Sequence, residues 1–545
     1  MTEVWVLFGV ALVPWVALTF IRLKRFLHIL QLEEYLTPQY GHWLRENSSR
    51  YLRVPLLAPG IASVVVAAAL AGLASEIGAL VGVALWLATG VGILMTQYRA
   101  APAAKKPLVL TARARRILVV AGCLAVSLVA LLTGLGLLAG DVEAIVLGIA
   151  VVFVVCTFAG HVVLMANLAL WPLEERSRRR FQRMASAKLV QQKPRIIAIT
   201  GSAGKTTTKD LVAHLLSARY RVLKTPASFN TPLGIARTVN DSLQGQDVFV
   251  VEMGAYKRGE IARLCALVGG TDVSAITTIN AQHLERFGSL EATAEAKWEI
   301  VEGIKQDGTA VLNFDVPAIR ERASRLTGVE VTSFGVESDD VTLRGSGVVE
   351  TATGIEFDVT YGGETTHIVA RLLARHNVTN VLAAMGIGLS CGLDVPYMTA
   401  AIRGFLPPDH RLQPLEANGV TVLDDAYNAN PEGVIGAIEV LGRYAPRRRV
   451  LVTPGLIEMG KEKGTYHARI GKAAAANVDV AFLVGPKQTE DIREAMLAAS
   501  FPESSLHVTR SLAEAREGLA KVGAAGDVVL YANDLPDQFD DFLTI

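Results

Sequence analysis

Arg195-Ile-Ile-Ala-Ile-Thr-Gly-Ser-Ala-Gly-Lys-Thr-Thr-Thr-Lys-Asp210 decides how the cytoplasmic-looking part of this chain folds. Ile196 to Ile199 are apolar and largely β-branched, which predicts a central parallel strand buried on both faces. Gly201 and Gly204 allow a tight turn whose backbone N–H groups can approach an anion. Lys205 supplies a cation for the β- and γ-phosphates of a nucleotide, and the Thr206 hydroxyl suits Mg²⁺. Leu211, Val212, Leu215 and Leu216 then fall at helical spacing on one face. The full G-x-x-x-x-G-K-[ST] pattern asks for Gly at 199, where this chain has Ile. Strand, Gly-x-x-Gly-Lys-Thr and helix nonetheless follow in the order of a phosphate-binding loop.

The chain has 545 residues, too many for one core, so several domains are expected. Hydrophobic residues make up 51%, and the excess lies before Trp171. A net charge of +1 gives no global field favouring nucleic acid. Cys123, Cys156, Cys265 and Cys391 are too far apart for a C-x-x-C metal or redox motif.

Working outward towards the N-terminus, five apolar runs approach or exceed the ~20 residues that cross a bilayer. They are Val4 to Ile21, Leu56 to Ala74, Ile77 to Met95, Ile117 to Leu138 and Ala144 to about Trp171. Glu3 rather than a basic residue precedes the first, and further runs follow, which argues against a cleaved signal peptide. Pro14 predicts a kink. Basic residues cluster after the first, third and fifth runs, as in Arg22, Lys24, Arg25, then Lys105, Lys106, Arg113, then Arg176 to Arg180. Acidic residues mark the other loops, Glu76 in one and Asp141 and Glu143 in the other. The expectation is a five-helix transmembrane domain (1–173) with its N-terminus outside and everything after Trp171 in the cytoplasm. Localisation is then a multi-pass bacterial-type inner membrane. Residues 22–53 mix Tyr35, Tyr40, Trp43 and Tyr51 with basic residues, which suits a helix lying in the interface. The runs carry no charged residue, only His161 and Asn167 in the last, so an anchor is favoured over a transporter.

Beyond a charged helical linker (174–194), the strand Asp247 to Val251 ends in Glu252, where an α/β sheet presents ligand-binding groups. Glu252 can hold a divalent cation, although a solvated or capping Glu is the plainer reading. His283 follows the strand Val273 to Thr278 in a loop, and Lys297 sits on a later helix. Alone, such a His is usually structural and such a Lys solvated.

The ordered set Thr-Gly-Ser-Ala-Gly-Lys-Thr-Thr-Thr, Glu252-Met-Gly, Asn280-Ala-Gln-His-Leu-Glu-Arg-Phe-Gly-Ser289, Ala-Lys297, Ala374-Arg-His-Asn-Val-Thr-Asn380 and Asp424-Asp-Ala-Tyr-Asn-Ala-Asn-Pro431 resembles the Mur ligase family. The last string resembles most the branch that adds D-alanyl-D-alanine. The resemblance covers roughly Arg195 to Leu530 and leaves out the apolar third, which stands where that branch carries a soluble uridine-nucleotide domain.

The resemblance implies a fold and a set of roles. The fold is a P-loop ATPase-like parallel-sheet domain (195–408) followed by a smaller Rossmann-like α/β domain (409–545), with β-rich residues 340–372 as an appendage of the first. ATP lies on Gly201, Ser202, Ala203, Gly204, Lys205, Thr206 and Thr207. Two Mg²⁺ ions are implied, with Thr206, Glu252 and His283 as metal ligands and Lys297 as a candidate for carbamoylation by CO₂. Asn313, Asn377 and Asn380 match adenine-side positions. Arg411 matches an arginine that reaches the phosphates, and Asp425, Tyr427 and Asn428 match the nucleotide-facing start of the last domain. Lys205, His283, Lys297 and Arg411 are the implied catalytic set.

The implied reaction is amide-bond formation through an acyl phosphate, in cell-wall precursor synthesis, between a small or lipid-linked peptide acid and an amine. A ligase making an amide-linked polymer such as poly-γ-glutamate is the nearest alternative, and a catalytically inactive ATP-binding scaffold a further one. Asn533-Asp-Leu-Pro-Asp-Gln538 stands where the branch has a Lys-Gly-Ser-Arg-like string, which leaves the amine open.

Overall fold

The computed structural model describes residues 1–48, 52, 54–71, 76–98, 107–138, 140–280, 287–417, 419–426, 430–456, 459 and 462–533. Two compact units emerge, Met1–Ser177 and Arg178–Leu535.

The first unit is helical: α1 (Thr2–Leu32), α2 (Thr37–Glu46), α3 (Val54–Ala71), α4 (Glu76–Tyr98), α5 (Ala112–Gly136), α6 (Asp141–Thr157) and α7 (Ala159–Gln192), which carries the chain into the second unit. Trp15 is fully buried and stacks on Trp86 at 5.3 Å, with its indole N–H donating to Trp86 O at 3.2 Å. Gly90 makes that stack possible, since a Cβ there would stand 2.5 Å from Trp15 Nε1. Along α1 the opposite condition holds: Val6, Val10, Val13, Val16 and Phe20 are at least half exposed.

The five apolar runs all fall in helices, but the span count changes. Among the described residues, α1, α4 and α5 are long and apolar enough to cross a bilayer, and α6 with α7 makes a fourth crossing only as one bent span. The apolar helix Leu57–Leu70 within α3 is shorter. The fifth run breaks at Phe158, where α6 and α7 meet at 75°. Arg22, wholly buried, stabilises that break by donating from Nε to Cys156 O (2.9 Å) and from Nη2 to Thr157 O (3.3 Å). It thereby satisfies carbonyls that the end of α6 leaves without helical partners. Pro14 lies inside α1, which continues to Leu32. Residues 22–32 extend α1 instead of starting an interfacial helix, and Tyr40 and Trp43 of α2 are buried. Packing on α1 and α7 gives these aromatics a dry partner that the sequence pattern did not reveal; Tyr51 is outside the described residues.

The second unit is built on two sheets. The larger has nine strands: β1 (Arg195–Thr200), β2 (Val222–Lys224), β3 (Val248–Glu252), β4 (Thr271–Ile276), β5 (Ile304–Asn313), β6 (Glu330–Gly335), β7 (Leu343–Glu350), β8 (Ile355–Tyr361) and β9 (Glu364–Ala370). Their order is β2-β3-β1-β4-β5-β6-β7-β8-β9, parallel up to β7 and antiparallel beyond. The expected β appendage is therefore continuous with the main sheet. β1 is central, and its side chains alternate between two cores: Ile197 and Ile199 face one, Ile196 and Ala198 the other. Parallel pairing sets Ile199 opposite Glu252 and Thr200 opposite Ile276, so the C-terminal ends of β1, β3 and β4 share one edge.

Helices α8 (Lys205–Leu216), α9 (Pro232–Ser242), α10 (Glu260–Val268), α11 (Leu290–Glu302), α12 (Pro317–Ala323), α13 (Asn377–Ser390) and α14 (Val395–Gly404) accompany this sheet. Several open on side-chain caps, such as Ser289 accepting from Ala292 N–H at 3.1 Å. The smaller sheet runs β10-β11-β15-β12-β13-β14, from β10 (Gln413–Ala417), β11 (Val420–Asp425), β12 (Arg449–Thr453), β13 (Val480–Val484), β14 (Leu506–Thr509) and β15 (Val528–Ala532). Only the β10–β11 hairpin is antiparallel. Helices α15 (Pro431–Gly442), α16 (Lys463–Asn477), α17 (Glu490–Ala498) and α18 (Leu512–Val522) complete it. Its parallel part begins at β11.

Candidate active site

The loop between β1 and α8 is shaped by two glycines that nothing else could replace. Gly201 takes φ 155° and Gly204 φ 81°. A Cβ on Gly201 would stand 1.9 Å from Thr277 Oγ1, and one on Gly204 2.0 Å from Asn380 Oδ1. Thr277 at the end of β4 and Asn380 on α13 thus press the loop from two sides. Ile199, where the nucleotide pattern wants glycine, is a fully buried strand residue paired with Glu252. The turn does not begin until Gly201, so a side chain is tolerated there. The loop's N–H groups and the start of α8 present partial positive charge to one place.

Charged side chains converge on the same edge. Lys205 Nζ donates to Gly201 O at 2.7 Å. Burial lowers its pKa, Glu252 opposes that shift, and Arg411 adds to it. Glu252 is 1% exposed, and its carboxylate is held from several directions. Oε2 accepts from Thr206 Oγ1 at 3.0 Å and lies 3.4 Å from Lys209 Nζ; Oε1 accepts from Asn230 Nδ2 at 3.0 Å. Arg411 arrives from the segment before β10, with Nη2 3.4 Å from Thr206 Oγ1. The residues on either side of it, His410 (φ 60°) and Leu412 (φ 50°), both take the left-handed conformation. That is costly for non-glycine residues, and here it aims the arginine at the loop. Leu412 N–H in turn donates to Asp425 Oδ1 at 3.1 Å, and burial pushes the Asp425 carboxyl up to about 7 despite the nearby arginine.

Lys297 is 3% exposed. Burial holds its pKa well below the ordinary lysine value, and the Lys205 charge lowers it further.

The three asparagines are turned inward. Asn380 Nδ2 donates to Asn377 Oδ1 (2.8 Å), Asn377 Nδ2 to Leu373 O (2.6 Å), and Thr208 Oγ1 to Asn380 Oδ1 (3.4 Å). Asn313 Nδ2 donates to Thr277 O at 2.8 Å, and its Oδ1 accepts from Asp315 N–H. All three brace the loop and its neighbouring strand end. Ser202 Oγ accepts from Asn280 N–H at 3.0 Å, Ala203 O accepts from Thr277 Oγ1 at 2.5 Å, and Thr207 is buried in the first turn of α8.

The structure thus gathers Gly201, Ser202, Ala203, Gly204, Lys205, Thr206, Thr207, Glu252, Asn380 and Arg411 around one loop. His283, Tyr427 and Asn428 lie outside the described residues, as do 534–545 with most of the string after Asn533. Among the described residues no group of three His, Cys, Asp or Glu side chains is assembled. One buried carboxylate beside a hydroxyl at a helix N-terminus is nevertheless a donor set that fits Mg²⁺, which takes its remaining ligands from water and phosphate oxygens.

Sequence reading missed Lys209. Its side chain is wholly buried between Glu252 Oε2 and Ala227 O, to which it also donates. The signal was present: Lys209 lies four residues after Lys205, on the same helical face. Asn230, the other clamp on Glu252, carried no comparable signal.

Comparison with known proteins places two regions of the chain in known families. Residues 199–388 match the Mur ligase middle domain, and 410–533 match the Mur ligase glutamate ligase domain. The UDP-N-acetylmuramoyl-tripeptide–D-alanyl-D-alanine ligase of Escherichia coli (strain K12) is 32% identical over 324 residues, 59% of this chain and 71% of that protein. The enzyme of the same name from Bacillus subtilis (strain 168) is 31% identical over 356 residues, 64% of this chain and 75% of that protein. Among solved structures, MurF ligase from Thermotoga maritima in complex with ADP superposes with a TM-score of 0.59 over 67% of this chain and 82% of that one. At 24% identity, that likeness speaks for the fold. The helical first unit lies outside both matched regions.

Proposed function

The chain belongs to the Mur ligase family of ATP-dependent ligases, and on that premise we propose that it joins a peptide-bearing carboxylate to an amine at the cytoplasmic face of a membrane, in peptidoglycan precursor synthesis. The observation that carries the chemistry is the convergence of Lys205, Thr206, Glu252 and Arg411 on one glycine loop.

In this reading the loop N–H groups and Lys205 hold the β- and γ-phosphates of ATP, and Arg411 neutralises charge that grows on the γ-phosphoryl group as it moves. The substrate carboxylate attacks that phosphorus, ADP leaves, and an acyl phosphate remains. The amine then adds to the acyl carbon, phosphate departs, and the amine's proton passes to solvent. Thr206, Glu252 and His283 are the residues that would hold Mg²⁺, which when bound would neutralise phosphate charge. Lys209 and Asn230 hold the Glu252 carboxylate in place beside the loop. Lys297 is the candidate for carbamoylation: once deprotonated, its amine would add CO₂ and lose one further proton, giving a carbamate whose charge would serve a second metal. Asn313, Asn377 and Asn380 act through the loop they brace.

Membrane attachment is supported by the exposed stripe from Val6 to Phe20 and by the basic residues that follow the apolar runs. Leaving such a stripe in water costs roughly 25 cal/mol per Å² of apolar surface, whereas lipid removes that cost. The relatives' names specify a UDP-N-acetylmuramoyl-tripeptide and D-alanyl-D-alanine. For this chain we infer a peptide acid presented at the membrane on a lipid or nucleotide carrier. The test is mass spectrometry of products from full-length protein given ATP, lipid-linked and nucleotide-linked peptide acids, and candidate amines. A product heavier than the acid by the amine minus water is expected. ATP loss with no ligated product from any pair would contradict the ligase reading.

A further inference from the structure

Around Arg22, the C-terminal part of α1, α2 and the starts of α5 and α7 share a small core of their own. α2 lies across the start of α7: Tyr40 Oη donates to Gly160 O at 3.1 Å. Gly160 leaves just enough room, since a Cβ there would stand 2.8 Å from both Leu44 Cδ2 and Phe26 Cδ1. Beside this contact, between α2 and α7, runs an open groove of about 600 Å³. Its lining is amphipathic. Arg45 and His161 supply cations or donors, Thr37 and Ser48 supply hydroxyls, and Leu44 and Leu164 supply apolar wall.

Arg45 and Thr37 keep donors that other described groups do not use. Glu46, next to Arg45, is engaged by His42 at 3.2 Å, and among the described residues no carboxylate pairs with Arg45. The Thr37 hydroxyl accepts from Asn167 Nδ2 at 3.1 Å, which leaves its own O–H to donate. The groove's depth is also defined. It starts just beyond the bend at Phe158 and the Arg22 bonds, where the apolar runs of α1 and α6 end and the basic residues begin. On the same stretch of α7, Leu168 and Trp171 are at least half exposed.

We propose that this groove seats the phosphate headgroup of an anionic lipid. Arg45 and His161 meet the phosphate, Thr37 and Ser48 donate to its oxygens, and Leu44 and Leu164 contact the first methylenes of the tail. A guanidinium fork matches phosphate oxygens, and a basic pocket among helices at headgroup depth is the arrangement that retains such lipids. A neutral zwitterionic lipid brings its own cation, so the groove favours a headgroup with net negative charge. The proposal rests on the membrane placement of the helical unit.

The experiment places full-length protein in nanodiscs of phosphatidylcholine doped with phosphatidylglycerol and counts retained lipids by native mass spectrometry. The comparison proteins are Arg45→Gln/His161→Gln and, as a basic residue outside the groove, Arg115→Gln. Unchanged phosphate release shows each variant is folded. Parent and Arg115→Gln retain phosphatidylglycerol in preference to phosphatidylcholine, and the double variant loses about fivefold of that preference. Equal preference in the double variant overturns the proposal, as does displacement of the lipid by inorganic phosphate, which marks a free-anion site. A chain that enters the discs without any lipid preference overturns the groove alone. A chain recovered outside the discs overturns the membrane placement with it.

Discussion

Each unit of this protein buries one long cation completely, and the two are used differently. In the helical unit Arg22 is wholly enclosed, and its guanidinium donates to the last carbonyls of α6. In the ligase unit Lys209 is equally enclosed, and its amine lies against Glu252, which also takes the Thr206 hydroxyl. The first cation supports a bend in an apolar bundle. The second holds a carboxylate beside the glycine loop. Around Arg22 the remaining buried residues are almost all apolar, whereas in the ligase unit the buried Glu252 at the end of β3 lies against the buried Lys209 of α8. A buried charge therefore points to chemistry when it has charged neighbours and an adjoining anion-binding loop, and to architecture when its partners are backbone carbonyls.

Four substitutions can break or sharpen that contrast. The largest effect is expected from Lys205→Ala, which removes the cation aimed at the transferred phosphate. Phosphate release should fall about 10³-fold with the circular dichroism spectrum unchanged. Retained turnover moves the nucleotide site elsewhere. Next comes Lys209→Ala, which strips a buried carboxylate of its cation. A loss of about 3 kcal/mol in unfolding free energy is expected, together with a higher Mg²⁺ requirement for turnover. Stability lost without any change in Mg²⁺ dependence would make Lys209 as architectural as Arg22.

Arg22→Ala should cost roughly 2 kcal/mol, because it leaves carbonyls of α6 unpaired in an apolar setting. Five of the chain's six tryptophans lie in Met1–Ser177, so thermal unfolding followed by tryptophan fluorescence reports this unit. Phosphate release per folded molecule should not move; a parallel fall would erase the distinction drawn here. The smallest effect belongs to Asp425→Asn. Its carboxyl titrates near 7 when folded against 3.8 for an ordinary aspartate, so the folded state holds a proton that the unfolded chain has lost between those values. Folding stability therefore falls as pH rises from about 4 through 7. Asparagine still accepts from Leu412 N–H and removes that penalty. The variant should match the parent near pH 4 and melt about 2–4 °C higher at pH 8. An identical difference at both pH values would contradict the assignment.

Much of the ligase unit was legible because its signals are local. Ile196 to Ile199 sit on β1 as a doubly buried strand must, and Gly201 and Gly204 turn where only glycine fits. What the sequence could not show was how side chains satisfy one another across the fold. Asn377 and Asn380 look like ligands when read along the chain, yet their amides are engaged by each other and by Leu373 O. Asn230 reaches Glu252 from a loop with no pattern of its own. In the helical unit, hydropathy located the helices but not the 75° bend, where Arg22, 134 residues away in sequence, meets the last carbonyls of α6. Tyr40 and Trp43 carried an interfacial composition and became core because the fold packs them in one cluster with residues of α1 and α7, Tyr40 bonding Gly160 O 120 residues away.

The central claim is that one glycine loop, Glu252 and Arg411 pass a phosphoryl group to a carboxylate that an amine then captures. It is tested most directly by measuring inorganic phosphate released by the purified full-length protein with ATP and Mg²⁺, adding the peptide acid alone, the amine alone, or both. The account predicts steady release only with both, in a one-to-one ratio with ligated product. Release at the same rate with either substrate missing would contradict it.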